Sequence, residues 1–197
     1  MNFPSVAFVF TLAVFPLVAE ASDASHRSAY AGQESRSIKS LSTEDIAELR
    51  RGGGWGLAKA AELNGMPGPA HLLEMKDEIA LNAAQVSAIE AIYEDMKAAA
   101  IAEGERLIGL EEKLERQFRD RTVTDDALRV ALDEIAASQK ALRYVHLSAH
   151  LKTPDILSEA QTNRYNELRG YSDVDSCAAA PPAGHDLAMW RKHNGCE

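Results

Sequence analysis

Aromatic side chains and positive charge are both scarce in this sequence. Phe, Trp and Tyr make up 6% of the 197 residues, and the formal net charge is −9. A composition rich in alanine and poor in aromatics favours packed helices over a β-sandwich. Proteins that bind nucleic acid neutralise its phosphates with Lys and Arg, so we expect no nucleic-acid partner. Anionic membrane surfaces are disfavoured for the same reason.

Signatures of catalysis are missing as well. The sequence contains no GxSxG elbow, no phosphate-binding Walker loop and no HExxH zinc motif. No motif places a serine as a nucleophile or a histidine as its base. The sequence therefore predicts a protein that is not an enzyme.

A long uncharged apolar run occurs only at the start of the chain, over residues 6–19. The following Ala19-Glu20-Ala21 fits an A-x-A cleavage site, so residues 1–21 are interpreted as a signal peptide for export. No Lys or Arg precedes the run, and an uncleaved N-terminal anchor is the alternative. The run is shorter than the roughly 20 residues of a spanning helix.

Cysteine occurs only twice, at Cys177 and Cys196. In an oxidising compartment these two residues are expected to pair within one chain, the alternative being two free thiols. Residues 172–197 are therefore interpreted as a Cys-bracketed tail. The tail also holds a second candidate metal set at a spacing of four, the alternative being a stapled surface loop: His185, Met189 and His193.

One five-residue pattern occurs twice, as LNAAQ at 81–85 and as LSEAQ at 157–161. In each copy the second residue can cap a helix, and the glutamine three residues later can reach back to the cap. This is the arrangement of a capping box, so both stretches predict helix starts. The motif residues are Leu81, Asn82, Gln85, Leu157, Ser158 and Gln161.

Apolar and small residues at spacings of three and four predict two long helices, one after Asn82 and one after Thr124. Glu103 interrupts the first stripe, and Gly104 beside it is expected to be a weak point. A short helix is predicted before the long pair, over residues 70–81, and another after it, up to Gly170.

We therefore expect an all-α fold with four helices in the order short, long, long, short. Only a few residues separate the long helices, which favours an antiparallel hairpin. Residues 67–171 are assigned to this domain. Residues 22–66 are interpreted as a linker with short helices, and both terminal extensions are expected to be flexible.

The two motifs, placed at the starts of the second and fourth of these helices, resemble the LTxxQ motifs of the Spy/CpxP family of bacterial periplasmic proteins. That family includes ZraP and the CnrX-type heavy-metal sensors. The resemblance covers about residues 69–170, and Asn82 and Ser158 stand where Thr is usual. It implies a periplasmic homodimer in which two curved hairpins form a cradle.

The resemblance also implies a function. It predicts an ATP-independent chaperone or an envelope-stress adaptor, whose partners are unfolded client proteins or an envelope sensor or anti-sigma protein. The alternative is a periplasmic heavy-metal sensor or a metal-binding resistance protein.

Histidines supply the candidate metal site. His146 and His150 are four residues apart on the third of the four helices and therefore share a face. Resemblance to the CnrX-type sensors implies that His71 and Met75 join them, with Glu94 beside the position of the sensor's glutamate. Such ligands suit zinc, nickel, cobalt or copper. The alternative is that His146 and His150 only pack in a helix interface. No cofactor is expected to be required, although a transition metal is a candidate.

Overall fold

The computed structural model describes residues 28–171, together with Leu187 and Arg191. The chain divides into two units, residues 1–34 and residues 35–197. In the first unit, residues 28–34 form turns. The predicted signal peptide, the predicted disulfide and the second candidate metal set all lie outside the described residues.

The described part of the chain is helical and contains no β-strand, which confirms the all-α prediction for these residues. None of its helices is both long and apolar enough to cross a membrane. The helices are α1 Thr43–Arg50, α2 Lys59–Glu62, α3 Pro69–Glu74, α4 Ala83–Arg119, α5 Asp125–Lys152 and α6 Glu159–Leu168.

The two long helices, α4 and α5, pack against each other. Lys113 of α4 forms an ion pair with Glu134 of α5 at 3.1 Å. Ten residues earlier in α4 and four residues later in α5, the Ser138 hydroxyl donates to Glu103 Oε1 at 2.5 Å. The partners of later α4 residues come earlier in α5, so the helices run antiparallel. Glu103, which interrupts the apolar stripe, is thus paired across the helix interface with a fully buried serine.

The segment before α2 belongs to the same core as the long helices. Ile38, Leu41 and Leu49 are buried, and they pack in one cluster with Leu107 of α4 and Leu142 of α5. Residues 35–66 are therefore not a free linker, because their apolar side chains cover the hairpin. The interpretation of residues 22–66 as a linker missed this packing, since the apolar positions of α1 are few and its sequence is mostly polar.

Gly104 is a contact point for α1. A Cβ atom at this position would lie 2.6 Å from the carbonyl oxygen of Leu49, which is the last buried residue of α1. On the other side of the same junction, Gly52 has φ +68, and a Cβ there would lie 2.9 Å from the Lys97 carbonyl oxygen. The expectation of a weak point at Gly104 is therefore corrected: glycine lets two backbones meet there.

A second buried cluster lies at the open end of the hairpin, away from the loop that connects α4 and α5. It contains Leu72 of α3, Ile79, Ile89 of α4 and Tyr165 of α6. The helix predicted over residues 70–81 ends at Glu74, and turns follow up to residue 80. Ile79 lies in these turns, and its side chain is buried in the cluster.

Candidate functional site

Both copies of the repeated motif form capping boxes. At the start of α4, Asn82 Oδ1 accepts the Gln85 backbone N–H at 3.0 Å, and Gln85 Oε1 accepts the Asn82 N–H at 3.0 Å. At the start of α6, Ser158 Oγ accepts the Gln161 N–H at 3.3 Å, and Gln161 Oε1 accepts the Ser158 N–H at 2.9 Å. Each helix start therefore satisfies its own free N–H groups.

The two motifs also meet each other. Gln85 Nε2 donates to Gln161 Oε1 at 2.8 Å, and Gln161 Nε2 donates to Gln85 Oε1 at 3.0 Å. The second N–H of each amide donates to the backbone carbonyl of the residue just before the other motif. Gln85 donates to the Ile156 carbonyl at 2.8 Å, and Gln161 donates to the Ala80 carbonyl at 3.2 Å. Each amide nitrogen thus uses both of its hydrogens. This motif junction joins residues 76 positions apart.

A cleft of about 720 Å³ lies further along the hairpin. On α4 it is lined by Tyr93, Met96 and Lys97, which fall between Ile89 of one buried cluster and Ala100 of the other. No α4 residue in that interval is buried. The cleft therefore occupies the gap between the two cores. Its histidines are His71 of α3 and His146 and His150 of α5.

His150 fastens the chain before α3 to α5. Its Nδ1 donates to the Met66 carbonyl at 2.8 Å, which leaves Nε2 as the acceptor in the neutral ring. The ring lies so close to Gly68 that a Cβ there would be 2.8 Å from Nε2. One turn later, the Thr153 hydroxyl donates to the Pro67 carbonyl at 2.6 Å. Residues 66–68 are thus held against α5 by side-chain bonds to their backbone.

His146 is the most buried polar side chain of the cleft. It is 3% exposed, and its Nε2 has no hydrogen-bond partner in the part of the chain that the structure describes. Burial holds its pKa below the ordinary value, and the nearby His150 lowers the pKa further, while Glu48 opposes this. His146 is therefore a neutral imidazole at neutral pH.

The carboxylate of Glu62, which lines the cleft, accepts hydrogen bonds from three side chains. Its Oε1 accepts from the Tyr165 hydroxyl at 2.7 Å, from Arg169 Nε at 3.0 Å and from the Tyr171 hydroxyl at 3.2 Å. Its Oε2 lies 4.0 Å from His150 Nδ1. Burial, followed by the bond to the Glu62 carboxylate, raises the pKa of Tyr165 above its ordinary value. The phenol therefore stays protonated and serves as a donor.

The structure assembles part of the predicted metal set. His71, His146 and His150 line one cleft, and His71 Nδ1 bonds to Glu74 Oε2 at 2.8 Å. Met75 caps the end of α3, where its N–H donates to the His71 carbonyl at 3.1 Å, and its side chain packs on the buried cluster around Leu72 instead of lining the cleft. Glu94 is exposed and does not line the cleft. Within residues 28–171, no three His, Cys, Asp or Glu side chains are grouped to hold one metal ion.

Comparison of the chain with protein-family models, with curated proteins and with solved structures finds no match. The site is therefore interpreted from its own geometry. Sequence reasoning missed Glu62 and Lys97 as cleft residues, because each is an isolated residue without a motif. Glu62 is placed beside the histidines by its contacts with Tyr165 of α6 and His150 of α5.

Proposed function

We propose that this protein is a periplasmic, ATP-independent chaperone or envelope-stress adaptor of the Spy/CpxP type, which works as a dimeric cradle of helical hairpins. The observation that carries the proposal is a stripe of exposed apolar side chains on α5. Val130 is 56% exposed, Tyr144 is 70% exposed and Leu151 is 64% exposed. We call these three residues the α5 stripe.

The α5 stripe has the spacing of one helix face. Its members are 14 and 7 residues apart, and the exposed Ala137 completes a seven-residue repeat. Seven residues are close to two helical turns, and the drift is about 20° per step, so all four positions lie within about 60° on one face of the helix. The buried face of α5, with Ala131, Ile135, Leu142 and Ala149, lies on the other side. The stripe is therefore not needed to close the hairpin.

Exposed apolar surface of this kind marks sites where proteins bind other proteins. A chaperone that works without ATP needs such a surface permanently available, because no nucleotide cycle uncovers it. An adaptor needs a fixed patch for its sensor partner. The repeated motif and its junction support the same proposal through the resemblance to the Spy/CpxP family.

The test measures how well the exported protein suppresses aggregation of a chemically denatured reporter enzyme. We expect protection at near-stoichiometric ratios, with or without a metal chelator. Tyr144→Ser combined with Leu151→Ser should remove most of it. The matched control is Phe118→Ser, since Phe118 is also an exposed apolar residue, 53% exposed, but lies on α4. Absence of protection, or protection unaffected by the double substitution, would contradict the proposal.

A second function is favoured by one observation: three histidines line the same cleft. In this alternative the protein is a periplasmic heavy-metal sensor or a metal-binding resistance protein. Calorimetry with zinc and with nickel should then show binding that weakens as the pH drops through about 6.5, because only neutral imidazole is a ligand. His146→Ala with His150→Ala should abolish it. Tight histidine-dependent binding without client protection would favour this alternative over the chaperone.

A further inference from the structure

The histidine cleft differs in charge from the rest of the molecule. Its charged lining residues are one carboxylate, Glu62, and four cations, whereas the whole chain carries a net charge of −9. The cations are Arg51, Lys59, Lys97 and Arg169. A basic cleft in an acidic protein attracts a negatively charged ligand.

Two of the four cations are free to meet such a ligand. Arg51 pairs with Glu48, and Arg169 pairs with Glu62 at 3.0 Å. Lys59 and Lys97 form no ion pair with any residue that the structure describes. Lys59 is exposed at the rim, and Lys97 is half-buried with its Nζ 5.4 Å from the centre of the Tyr93 ring.

His146, unlike the exposed Lys59, is buried, and it has a polar atom with no hydrogen-bond partner in the described residues. Its Nε2 is inaccessible to solvent and unbonded within residues 28–171, although its side chain lines the cleft. A buried polar atom without a hydrogen bond costs about 1–3 kcal/mol, so such atoms are rare in folded proteins. A small shift of the ring toward the cleft would let a ligand group pair with Nε2 and recover this cost.

The wall of the cleft is mainly apolar. Leu63, Pro69, Met96 and the Tyr93 ring contribute to it. An apolar cleft with a few convergent polar groups is the usual form of a small-molecule site, and 720 Å³ is within the usual range. We propose that the cleft binds a small organic anion with an apolar body, whose charge meets Lys59 and Lys97 while a polar group pairs with His146.

This site is independent of the proposed chaperone surface. His146 belongs to the buried face of α5, while the α5 stripe belongs to the exposed face of the same helix. Client protection and anion binding can therefore be measured, and can fail, separately.

The experiment titrates the purified protein with octanoate, 1-octanol and octylamine, and with 8-hydroxyoctanoate, which adds a polar group for His146 and should bind more tightly than octanoate. Calorimetry gives the affinities, and the NMR signals of the His146 ring report where the probe binds. We expect one saturable octanoate site that shifts the His146 signals. Octanol should bind at least tenfold more weakly, because hydrogen bonds to a charged group contribute about 1.5–3 kcal/mol. Octylamine should not bind at this site.

Lys97→Met keeps the length of the side chain, removes its charge and should weaken octanoate binding about tenfold. Lys113→Met is the matched control and should change nothing, since Lys113 pairs with Glu134 away from the cleft. His146→Gln serves as a second variant that retains a polar side chain, and it should remove the ring signals without abolishing octanoate binding. Equal binding of octanoate and octanol, or octanoate binding unaffected by Lys97→Met, would overturn the proposal. So would an absence of saturable binding.

Discussion

The side-chain amides of Gln85 and Gln161 donate to each other's oxygen atoms at 2.8 and 3.0 Å. Each glutamine therefore has two tasks: its oxygen also accepts the N–H of its own cap residue, while its nitrogen also reaches the backbone before the other motif. The motif is repeated because its two copies form one interaction. It caps two helices and joins them at the open end of the hairpin.

The first prediction concerns this junction. Gln85→Ala and Gln161→Ala should each destabilise the protein by roughly 1–3 kcal/mol, because each leaves bonded polar groups without partners. The double variant should cost less than the sum, with a coupling of at least about 0.5 kcal/mol. Urea melts of the two single variants and the double variant give these values. Gln139→Ala, at an exposed position of α5, is the control and should be nearly neutral. Strict additivity would show that the two amides act independently.

The second prediction compares two glycines of the same helix. Gly104→Ala should destabilise by roughly 1–3 kcal/mol, because its Cβ would meet the Leu49 carbonyl at 2.6 Å. Gly109→Ala should instead stabilise by up to about 1 kcal/mol, since nothing lies within 4 Å of its Cβ and alanine is the better helix former. Thermal melts of both variants test the difference in sign. If Gly104→Ala were as stable as Gly109→Ala, the close contact between α1 and α4 would be refuted.

The third prediction concerns the contact between Gly68 and His150. Gly68→Ala should cost about 1–3 kcal/mol, because the new methyl group would lie 2.7–2.8 Å from the imidazole ring. The backbone of Gly68, with φ −90 and ψ 146, accepts any residue, so the cost comes from the ring alone. In a His150→Ala background, the same substitution should therefore be nearly neutral. Denaturant melts of the two single variants and the double variant measure this, and an undiminished cost in that background would contradict it.

The fourth prediction concerns acid. The hydrogen bond from Trp55 Nε1 to Asp45 Oδ1, at 2.8 Å, is the main reason that the pKa of Asp45 lies below its ordinary value of 3.8; bonds from the Ser42 backbone and side chain add to it. A lowered folded-state pKa stabilises the fold above the unfolded pKa. This stabilisation is lost as the pH falls through the folded value.

Trp55→Phe keeps an aromatic ring and removes the donor. At pH 7 it should destabilise by about 1 kcal/mol. Between pH 7 and pH 3 the variant should lose less stability than the natural protein, because its Asp45 is held less strongly in the charged form. Denaturant melts followed by circular dichroism at both pH values give the comparison. The other carboxylates, Glu115 beside Lys39 among them, titrate in both proteins and cancel. An equal loss in both proteins would refute the role of the Trp55 bond.

Local chemistry made much of this fold predictable. The capping boxes at Asn82 and Ser158 need only residues within three positions, and the cap at Thr124 likewise bonds to the Ala127 N–H. The long helices follow from their apolar stripes in the same way. These features depend on neighbours in the chain, so a single sequence contains the information for them.

Features that depend on distant partners could not be predicted. The capping box accounts for the presence of Gln85 in the sequence, and no sequence feature indicates that its side-chain nitrogen bonds to Gln161. Ile38 and Leu41 lie in a polar stretch, and their burial depends on the hairpin surface. The same holds for the metal set: His71 and Met75 are four residues apart in the predicted helix, but His71 lines the cleft whereas Met75, at the end of α3, packs on the cluster around Leu72.

The division of the buried residues into two clusters has a consequence for how the molecule opens. One cluster holds α1 on the middle of the hairpin, and the other holds α3 and α6 at its open end. We therefore expect each cluster to open locally while the other stays intact. The continuous helix α4 contributes residues to both clusters and connects them. Tyr93, Met96 and Lys97 lie between the two clusters. We expect the protection of their amides against hydrogen exchange to depend on both clusters. A ligand bound in the cleft would contact residues between the two clusters, and we expect it to make their opening cooperative.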